Sequence, residues 1–239
     1  MPNAIAAGIR RNFGLDGDDM IDPYYQDDYA TIYHGDCREI LPDLQKVDLV
    51  LTDPPYGAGF NGMKQISVDN AAKCGDYIWG EWNNLPVDDE TMRAIISQSR
   101  MAIVFGGNYY SLPPSKCWLI WDKDNTGNFA DAELAWTNLP QVVRLKKYRW
   151  NGMLQEPNQE RNCREHPTQK PIQVMKWCVS QADKHCGGKA KTILDPYMGS
   201  GSTLRAAKDL QRKAIGIEIE EKYCEIAARR LAQEVLALS

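Results

Sequence analysis

The stretch ILDPYMGSGST (residues 193–203) decides the fold class of this 239-residue chain. It continues the apolar run KTILD (191–195), which is typical of a short buried strand. Gly199 and Gly201 then allow the backbone to approach a ligand closely, and a helix starting near Ser202 leaves unpaired N–H groups at its first turn. A strand, a glycine-rich turn and a helix start together predict a βαβ unit with a ligand site at the turn.

The rest of the chain repeats this alternation of strands and helices. The apolar runs predict strands at 30–36, 47–52, 101–107, 117–123, 132–137, 141–147, 191–195 and 213–219. Helices are expected at 37–45, 88–100, 171–182 and 202–210, with a last helix ending near residue 236. The alternation predicts an α/β domain over residues 29–239 with a doubly wound, mostly parallel sheet, preceded by an irregular arm at 1–28. Residues 57–87, rich in Gly, Asn and Asp, are expected to form a flexible loop.

Composition excludes several classes of protein. The seven cysteines form no CxxC pair and the three histidines form no HxxxH pair, so neither a disulfide framework nor a metal site is expected. The chain has no run of about 18 apolar residues and does not begin like a secretory signal, so we expect a cytoplasmic protein without a membrane span. The net charge is −4, but residues 141–176 hold eight basic side chains against three glutamates.

Two carboxylates flank the glycine-rich turn. Glu218 ends the following strand, 17 residues after Gly201, and an acidic residue near that distance accepts hydrogen bonds from ribose hydroxyls in nucleotide-binding βαβ units. Leu204 stands where a full GxGxxG motif has its third glycine. Asp195 is able to receive an amino group, which a pyrophosphate-bearing cofactor lacks. A ligand with a ribose, an adenine and a cationic amino-acid tail suits both carboxylates, and S-adenosylmethionine is that ligand.

Five motifs in one order carry a family resemblance: YHGD (33–36), DPPYG (53–57), HPTQKP (166–171), DPYMGSGST (195–203) and IGIEIEEKYCEIAARRL (215–231). With them the chain resembles the DNA amino-methyltransferases of the permuted beta group, in which DPPY precedes the cofactor-binding glycines. The likeness covers roughly residues 30–57 and 131–235. It implies an S-adenosylmethionine-dependent methyltransferase (Rossmann-like) fold of about seven strands, with both motifs at the carboxyl ends of strands beside the topological switch point.

The resemblance also implies which residues bind the cofactor. Glu218 would hold the ribose, Asp36 with the backbone of Cys37 the adenine, and Thr168 and Lys170 the carboxylate. The residues implied for the methionine part are Asp195, Pro196, Gly199, Gly201, Ser202 and Thr203.

The DPPY stretch (Asp53, Pro54, Pro55, Tyr56) ends the apolar strand 47–52 and carries the expected chemistry. The lone pair of an exocyclic base amine is conjugated into the ring, which makes the amine a poor nucleophile. Asp53 and the Pro54 carbonyl are expected to accept its two hydrogens and draw the nitrogen toward sp³, while the proline rings fix the direction of the carbonyl. Tyr56 offers a flat face on which an unstacked base can lie.

A base that leaves the duplex costs a few kcal/mol of unstacking, so compensating contacts to double-stranded DNA are expected. We expect them mainly from a small target-recognition insert at about 141–165, with the 57–87 loop as a second contributor. The candidate DNA-binding residues are Arg144, Lys146, Lys147, Arg149, Arg161 and Arg164. The alternative is that the first three only keep an exposed edge strand soluble.

Within the resembling family, Asp at the first DPPY position is associated with adenine, so transfer to adenine N6 is expected. Cytosine-N4 methylation is the first alternative. An RNA, protein or small-molecule methyltransferase and a non-catalytic DNA- or cofactor-binding module are further alternatives. A solitary enzyme, a restriction-modification partner and a phage-borne enzyme all remain open. The resemblance implies a homodimer as one oligomeric state.

Overall fold

The computed structural model describes residues 21–55, 57, 86–124, 130–151, 154–155 and 169–233. Its strands are β1 (Tyr25–Gln26), β2 (Ala30–His34), β3 (Val47–Thr52), β4 (Ser99–Phe105), β5 (Cys117–Asp122), β6 (Ala132–Thr137), β7 (Arg144–Lys147), β8 (Trp150–Asn151), β9 (Leu154–Gln155), β10 (Thr192–Asp195) and β11 (Lys213–Glu218). Its helices are α1 (Cys37–Ile40), α2 (Asp89–Ser97), α3 (Ile172–Asp183), α4 (Ser202–Asp209) and α5 (Glu221–Ala232). None of these helices is long and apolar enough to cross a membrane.

Nine of the described strands form one sheet in the order β1-β2-β11-β10-β3-β4-β6-β5-β7. From β2 to β4 all neighbours are parallel, whereas β6 runs antiparallel to both β4 and β5. The prediction of a mostly parallel α/β sheet is confirmed. The resemblance implied about seven strands and the sheet has nine, of which the short edge strand β1 was not predicted from the sequence.

The strand order explains how distant parts of the chain meet. The last two long strands, β10 and β11, insert between β2 and β3. Leu194 of β10 lies opposite Val50 of β3, so the residues that follow these strands emerge side by side. Because carboxyl ends of parallel strands share one edge of the sheet, Asp36, Asp53, Asp195 and Glu218 all reach the same edge.

Burial accounts for the parallel half of the sheet. Leu49, Val50 and Leu51 of β3 are fully buried, which is expected of a strand with both faces covered. One face packs in a core that includes Val174 and Cys178 of α3, and the opposite face in a core that includes Ile95 of α2. The apolar run thus places β3 in the middle of the domain.

Several boundaries differ from the sequence prediction. The helix expected at 37–45 is α1 followed by a 3₁₀ turn, Leu41–Asp43, which contains Pro42. The strand expected at 141–147 begins only at Arg144. The arm assigned to residues 1–28 includes β1, since Asp27 accepts hydrogen bonds from the N–H groups of Tyr29 and Ala30 and closes a hairpin with β2. Residues 1–20 and 234–239 lie outside the described residues.

Candidate active site

A pocket of about 490 Å³ opens at the carboxyl ends of β2, β3, β10 and β11. Among the described residues that the sequence assigned to catalysis or cofactor binding, Gly201 alone does not line it. Those that line it are Asp36, Cys37, Asp53, Pro54, Pro55, Lys170, Asp195, Pro196, Gly199, Ser202, Thr203 and Glu218. Tyr56 and Thr168 lie outside the described residues. The fold therefore brings the two separated motifs to one cavity.

Asp195, at the end of β10, is buried, and both of its carboxylate oxygens accept hydrogen bonds from the protein. One oxygen accepts from the Thr52 hydroxyl at 2.8 Å and from the Tyr197 N–H at 3.2 Å. The other accepts from the Thr203 hydroxyl at 2.6 Å. Burial raises the pKa of Asp195 to about 6, although these hydrogen bonds oppose the shift. Asp195 thus ties β3, β10 and the start of α4 together.

Glu218, at the end of β11, holds the glycine-rich turn. Its carboxylate accepts from the Gly199 N–H at 3.0 Å and from the Glu220 N–H at 2.9 Å. Burial raises the pKa of Glu218 to about 7. The turn preceding α4 is consequently fixed by a carboxylate that also faces the cavity.

Gly201 and Arg230 lie behind this turn. Gly201 has φ +77°, and a Cβ atom there would come within 2.8 Å of Ala227 Cβ on α5. The buried Arg230 guanidinium lies 3.3 Å from the hydroxyls of Ser200 and Ser202 and 3.1 Å from Oε1 of the Gln169 side chain. Arg230 was not singled out from the sequence, because nothing in the helix pattern of 221–232 distinguishes a buried arginine from an exposed one.

Asp36 closes the other end of the pocket. Its side chain accepts a hydrogen bond from the Arg38 N–H at 2.9 Å, which caps α1, and it forms an ion pair with the Arg38 guanidinium. That ion pair and hydrogen bond lower the pKa of Asp36. The backbone of Cys37 follows directly, and its thiol is buried with a raised pKa.

Asp53, directly after β3, differs from Asp195 in its partners. Its Oδ2 accepts from the ammonium of Lys170, which is itself buried. Its Oδ1 is buried and has no hydrogen-bond partner in the part of the chain that the structure describes. Burial raises the pKa of Asp53, Glu133 raises it further, and Lys170 opposes both effects.

Glu133 on β6 is a site residue that the sequence analysis missed. Its carboxylate lies 3.2 Å from the Lys170 ammonium and 2.6 Å from the ammonium of Lys123. The available signal was weak: Glu133 is a charged residue within the otherwise uncharged strand segment AELAWT (132–137). Only the pairing of β6 with β4 brings that residue near the end of β3.

Tyr110 is a second missed residue, and it fixes the proline corner. Its hydroxyl lies 2.7 Å from the Pro55 carbonyl oxygen, to which it donates, and 3.3 Å from that of Pro54. The Val87 N–H donates to the Pro55 carbonyl at 3.2 Å. The corner after Asp53 is therefore held by hydrogen bonds in addition to the two proline rings.

The structure describes four of the six candidate DNA-binding residues. Arg144, Lys146 and Lys147 lie on the edge strand β7, as the solubility alternative assumed. Lys147 and Arg149 are 2.7 and 2.5 Å from the carboxylate of Asp124, and both basic side chains are about half exposed. Arg161 and Arg164 lie outside the described residues.

Over the ranges that are described, no group of His, Cys, Asp and Glu side chains could hold a metal ion.

Comparison with known proteins finds DNA methyltransferases among the similar sequences and structures. Residues 114–229 match the family model described as DNA methylase, of the N6/N4 methyltransferases. Over this stretch the chain is similar to DNA methyltransferases of the N6/N4 class. It is 26% identical to the type II methyltransferase M2.LlaDCHI of Lactococcus lactis subsp. cremoris, with 89% of this chain and 93% of that protein aligned. It is 25% identical to the type II methyltransferase M2.DpnII of Streptococcus pneumoniae, over 90% of this chain and 94% of the relative.

Two solved structures of DNA methyltransferases confirm the fold predicted for this chain. The crystal structure of the M1.HpyAVI–SAM complex matches 84% of this chain and 99% of that one, with a TM-score of 0.51 and 24% identity. The PvuII DNA methyltransferase, described as cytosine-N4-specific, matches 90% of each chain with a TM-score of 0.55 and 15% identity. The sheet described above thus has the Rossmann-like fold of these two structures.

Proposed function

We propose that this methyltransferase transfers a methyl group from S-adenosylmethionine to the exocyclic amine, N6, of an adenine flipped out of double-stranded DNA. S-adenosylmethionine is the cofactor, and when bound it supplies an electrophilic methyl group. The observation that carries the proposal is Asp53, which lines the pocket and whose buried Oδ1 has no hydrogen-bond partner among the described residues. Leaving such an oxygen unpaired costs about 1–3 kcal/mol, which an incoming N–H donor would recover.

An amino group is the donor that fits this acceptor. Oδ1 accepts one amine hydrogen, and the Pro54 carbonyl is proposed to accept the other, so that both draw the nitrogen toward sp³. The corner that positions them is held by Tyr110 and Val87. Holding the amine and the methyl donor in line supplies much of the rate acceleration.

Asp53 is also suited to receive the proton that the amine loses once it is methylated. Burial and the nearby Glu133 carboxylate raise the pKa of Asp53, while the Lys170 ammonium favours its charged form. A carboxylate with opposing influences of this kind can accept a hydrogen bond first and a proton afterwards. We propose that the Lys170 ammonium stabilises the ionised form of Asp53, because it contacts the carboxylates of both Asp53 and Glu133.

The opposite wall of the pocket is proposed to bind the cofactor. Glu218, buried at the end of β11, is proposed to accept from the ribose hydroxyls, and Asp36 with Cys37 to face the adenine. The methionine part is proposed to lie at the turn between β10 and α4. Behind the pocket, Gly201 lets this turn pack closely on α5, since a Cβ atom there would come within 2.8 Å of Ala227 Cβ, and this packing fixes the turn.

DNA is proposed to bind across the Asp53 end of the pocket, with contacts from Arg144, Lys146, Lys147, Arg149, Arg161 and Arg164. Lys147 and Arg149 would exchange their ion pairs with Asp124 for contacts to phosphates. The enzyme is proposed to act in the cytoplasm, and the family resemblance supports a homodimer.

Product analysis tests the proposal directly. Double-stranded DNA is incubated with the purified protein and S-adenosylmethionine, digested to nucleosides and examined by mass spectrometry. N6-methyladenine is the expected product, and the Asp53→Ala variant should form almost none. N4-methylcytosine without methyladenine would replace the adenine assignment with cytosine, and methylation of RNA alone would overturn the DNA substrate.

A further inference from the structure

Four charged side chains of alternating sign contact one another in a line that ends at Asp53. Lys123 lies 2.6 Å from one oxygen of Glu133, and Lys170 lies 3.2 Å from the other. Lys170 also contacts Oδ2 of Asp53, leaving Oδ1 without a partner among the described residues. Two ammonium groups and two carboxylates thus alternate across three strands and the segment before α3.

The sheet fixes the positions of this line. Glu133 lies opposite Trp121 in the β5–β6 register, and the Lys123 N–H donates to the Asp131 carbonyl at 2.9 Å. The Lys123 ammonium stands 5.2 Å from the centre of the Trp121 ring. The Lys170 ammonium stands 5.3 Å from the centre of the buried Phe105 ring. These contacts restrict where each ammonium can move.

An ammonium group beside a single carboxylate is free to shift between its two oxygens. If Lys170 moved over Oδ1 of Asp53, it would occupy the acceptor proposed for the target amine. The Glu133 carboxylate, 3.2 Å from the same ammonium, adds a second attraction that favours the observed position of Lys170.

We propose that Glu133 is a positioning residue for methyl transfer, which holds the Lys170 ammonium on Oδ2 of Asp53 so that Oδ1 stays open for the target amine. This inference rests on the function proposed above. Glu133 itself is placed against two lysines and does not contact the amine in this arrangement.

The charge of Glu133 has a second, measurable effect on Asp53. The titratable groups that face Asp53 are Lys170, Glu133, Lys123 and Asp195. Lys170 and Lys123 lower the pKa of Asp53, whereas Glu133 raises it. Removing the negative charge of Glu133 should therefore lower the pKa of Asp53 and keep its carboxylate ionised at lower pH.

The decisive variant is Glu133→Gln, which keeps the shape of the side chain and removes its charge. At saturating S-adenosylmethionine and DNA, the single-turnover rate should fall about 10- to 100-fold, as misplacement of a reacting group does. The acid limb of the pH–rate profile should move to lower pH. Binding of S-adenosylmethionine, measured by calorimetry, should change less than about twofold, because the residues proposed to bind the cofactor are unchanged.

Two further variants separate positioning from a merely structural role. Glu225→Gln removes an exposed carboxylate on α5 and should leave the rate and the pH profile unchanged. In a Lys170→Met background, Glu133→Gln should cause no further loss of rate, because the group through which Glu133 acts is gone. A folding defect would lower the plateau of the pH–rate profile without moving its acid limb. Such a defect would also be recognised by a loss of cofactor binding.

The outcomes distinguish the two proposals. If the wild-type enzyme methylates DNA and Glu133→Gln matches it in rate and pH profile, the role of Glu133 is overturned and the proposed function stands. If the wild-type enzyme transfers no methyl group to DNA, both fall. An additive loss in the Lys170→Met background would show that Glu133 does not act through Lys170.

Discussion

Asp53 and Asp195 stand at the ends of neighbouring parallel strands, β3 and β10, yet their surroundings differ. Asp195 accepts two hydroxyl hydrogen bonds and one from a backbone N–H. Asp53 accepts one from an ammonium, and its other oxygen has no partner among the described residues. Burial raises the pKa of both carboxyl groups.

The difference separates two uses of a buried carboxylate. With its hydrogen bonds completed by the protein, Asp195 stabilises the junction of β3, β10 and α4. An incomplete set leaves Asp53 able to bind a donor that the protein does not provide, at a cost to stability of the folded chain. We call the surroundings of Asp53 the target wall and those of Asp195 and Glu218 the cofactor wall.

Alanine substitutions at the two aspartates should give opposite results. Asp53→Ala should lower the methyl-transfer rate about 100- to 1,000-fold, as loss of one preorganised transition-state contact does, and leave cofactor affinity nearly unchanged. Asp195→Ala should lower the free energy of unfolding by about 2–4 kcal/mol, because it leaves Thr52, Thr203 and the Tyr197 N–H without their acceptor.

Single-turnover kinetics and chemical denaturation check this pair of variants. Thr137→Ala, at another buried hydroxyl of the sheet, controls for the general effect of a lost hydrogen bond. A fully active Asp53→Ala enzyme would contradict the assignment of the target wall.

A substitution at Gly201 should damage the cofactor wall alone. Gly201→Ala places a Cβ 2.8 Å from Ala227 Cβ at a residue with φ +77°, so the turn or α5 must shift. We expect a loss of about 2–3 kcal/mol in the free energy of unfolding and weaker binding of S-adenosylmethionine. Gly187→Ala is the matched control, since Gly187 has φ +67° but no atom within 4 Å of the added carbon. Equal losses in the two variants would mean that backbone strain, and not the contact with α5, decides the effect.

The sequence predicted most of the fold because its main signals are local. The apolar run of β3, the glycine turn after β10 and the strand ending at Glu218 each depend on a few consecutive residues. Their meeting at one edge follows from parallel strands, and the structure brings Asp53, Asp195 and Glu218 to one pocket. Boundaries that depend on single side chains, such as the hairpin closed by Asp27, were not predicted.

Side-chain partners across the sheet were not predictable in the same way. Glu133 reaches Lys170 only because β6 lies antiparallel beside β4, and Arg230 reaches Ser200 only because α5 packs behind the turn. In both pairs the two residues are far apart in sequence, and neither Glu133 nor Arg230 is marked by a strong local signal. The sequence assigned Lys170 to the cofactor carboxylate, whereas the structure places its ammonium on Asp53 and Glu133.

The free energy of unfolding should depend on pH through Glu218, the buried carboxyl group of the cofactor wall. Its pKa is raised to about 7 from an ordinary value of 4.5, so the folded protein binds a proton more tightly than the unfolded chain. The stability that this proton contributes is complete below about pH 4.5 and is lost as the pH rises to about 7. Asp195 acts in the same direction, with a pKa of about 6.

Glu218→Gln should remove part of this dependence, flattening the decline in unfolding free energy between pH 4.5 and 7 by about 3 kcal/mol. Denaturation of the cofactor-free protein across this range measures the change. Glu221→Gln, at an exposed position in the first turn of α5, serves as the control. An unchanged slope in Glu218→Gln would show that Glu218 is ionised in the folded protein throughout the range.

The smallest effect is expected at the edge strand β7, beyond the target wall. Each phosphate contact that is lost should reduce the slope of log K against log salt by about 0.9 on duplex DNA. Arg144→Ala with Lys146→Ala should show this reduction and weaken binding to all sequences alike. Lys147→Ala should change affinity less, because its ammonium already lies 2.7 Å from Asp124 and must leave that carboxylate to reach a phosphate. Gel-shift titrations at several salt concentrations compare these variants, with Lys222→Ala on α5 as an exposed lysine distant in sequence. If neutralising Arg144, Lys146 and Lys147 together leaves both affinity and slope unchanged, the charges of β7 serve to keep an edge strand soluble, and DNA is held by other segments.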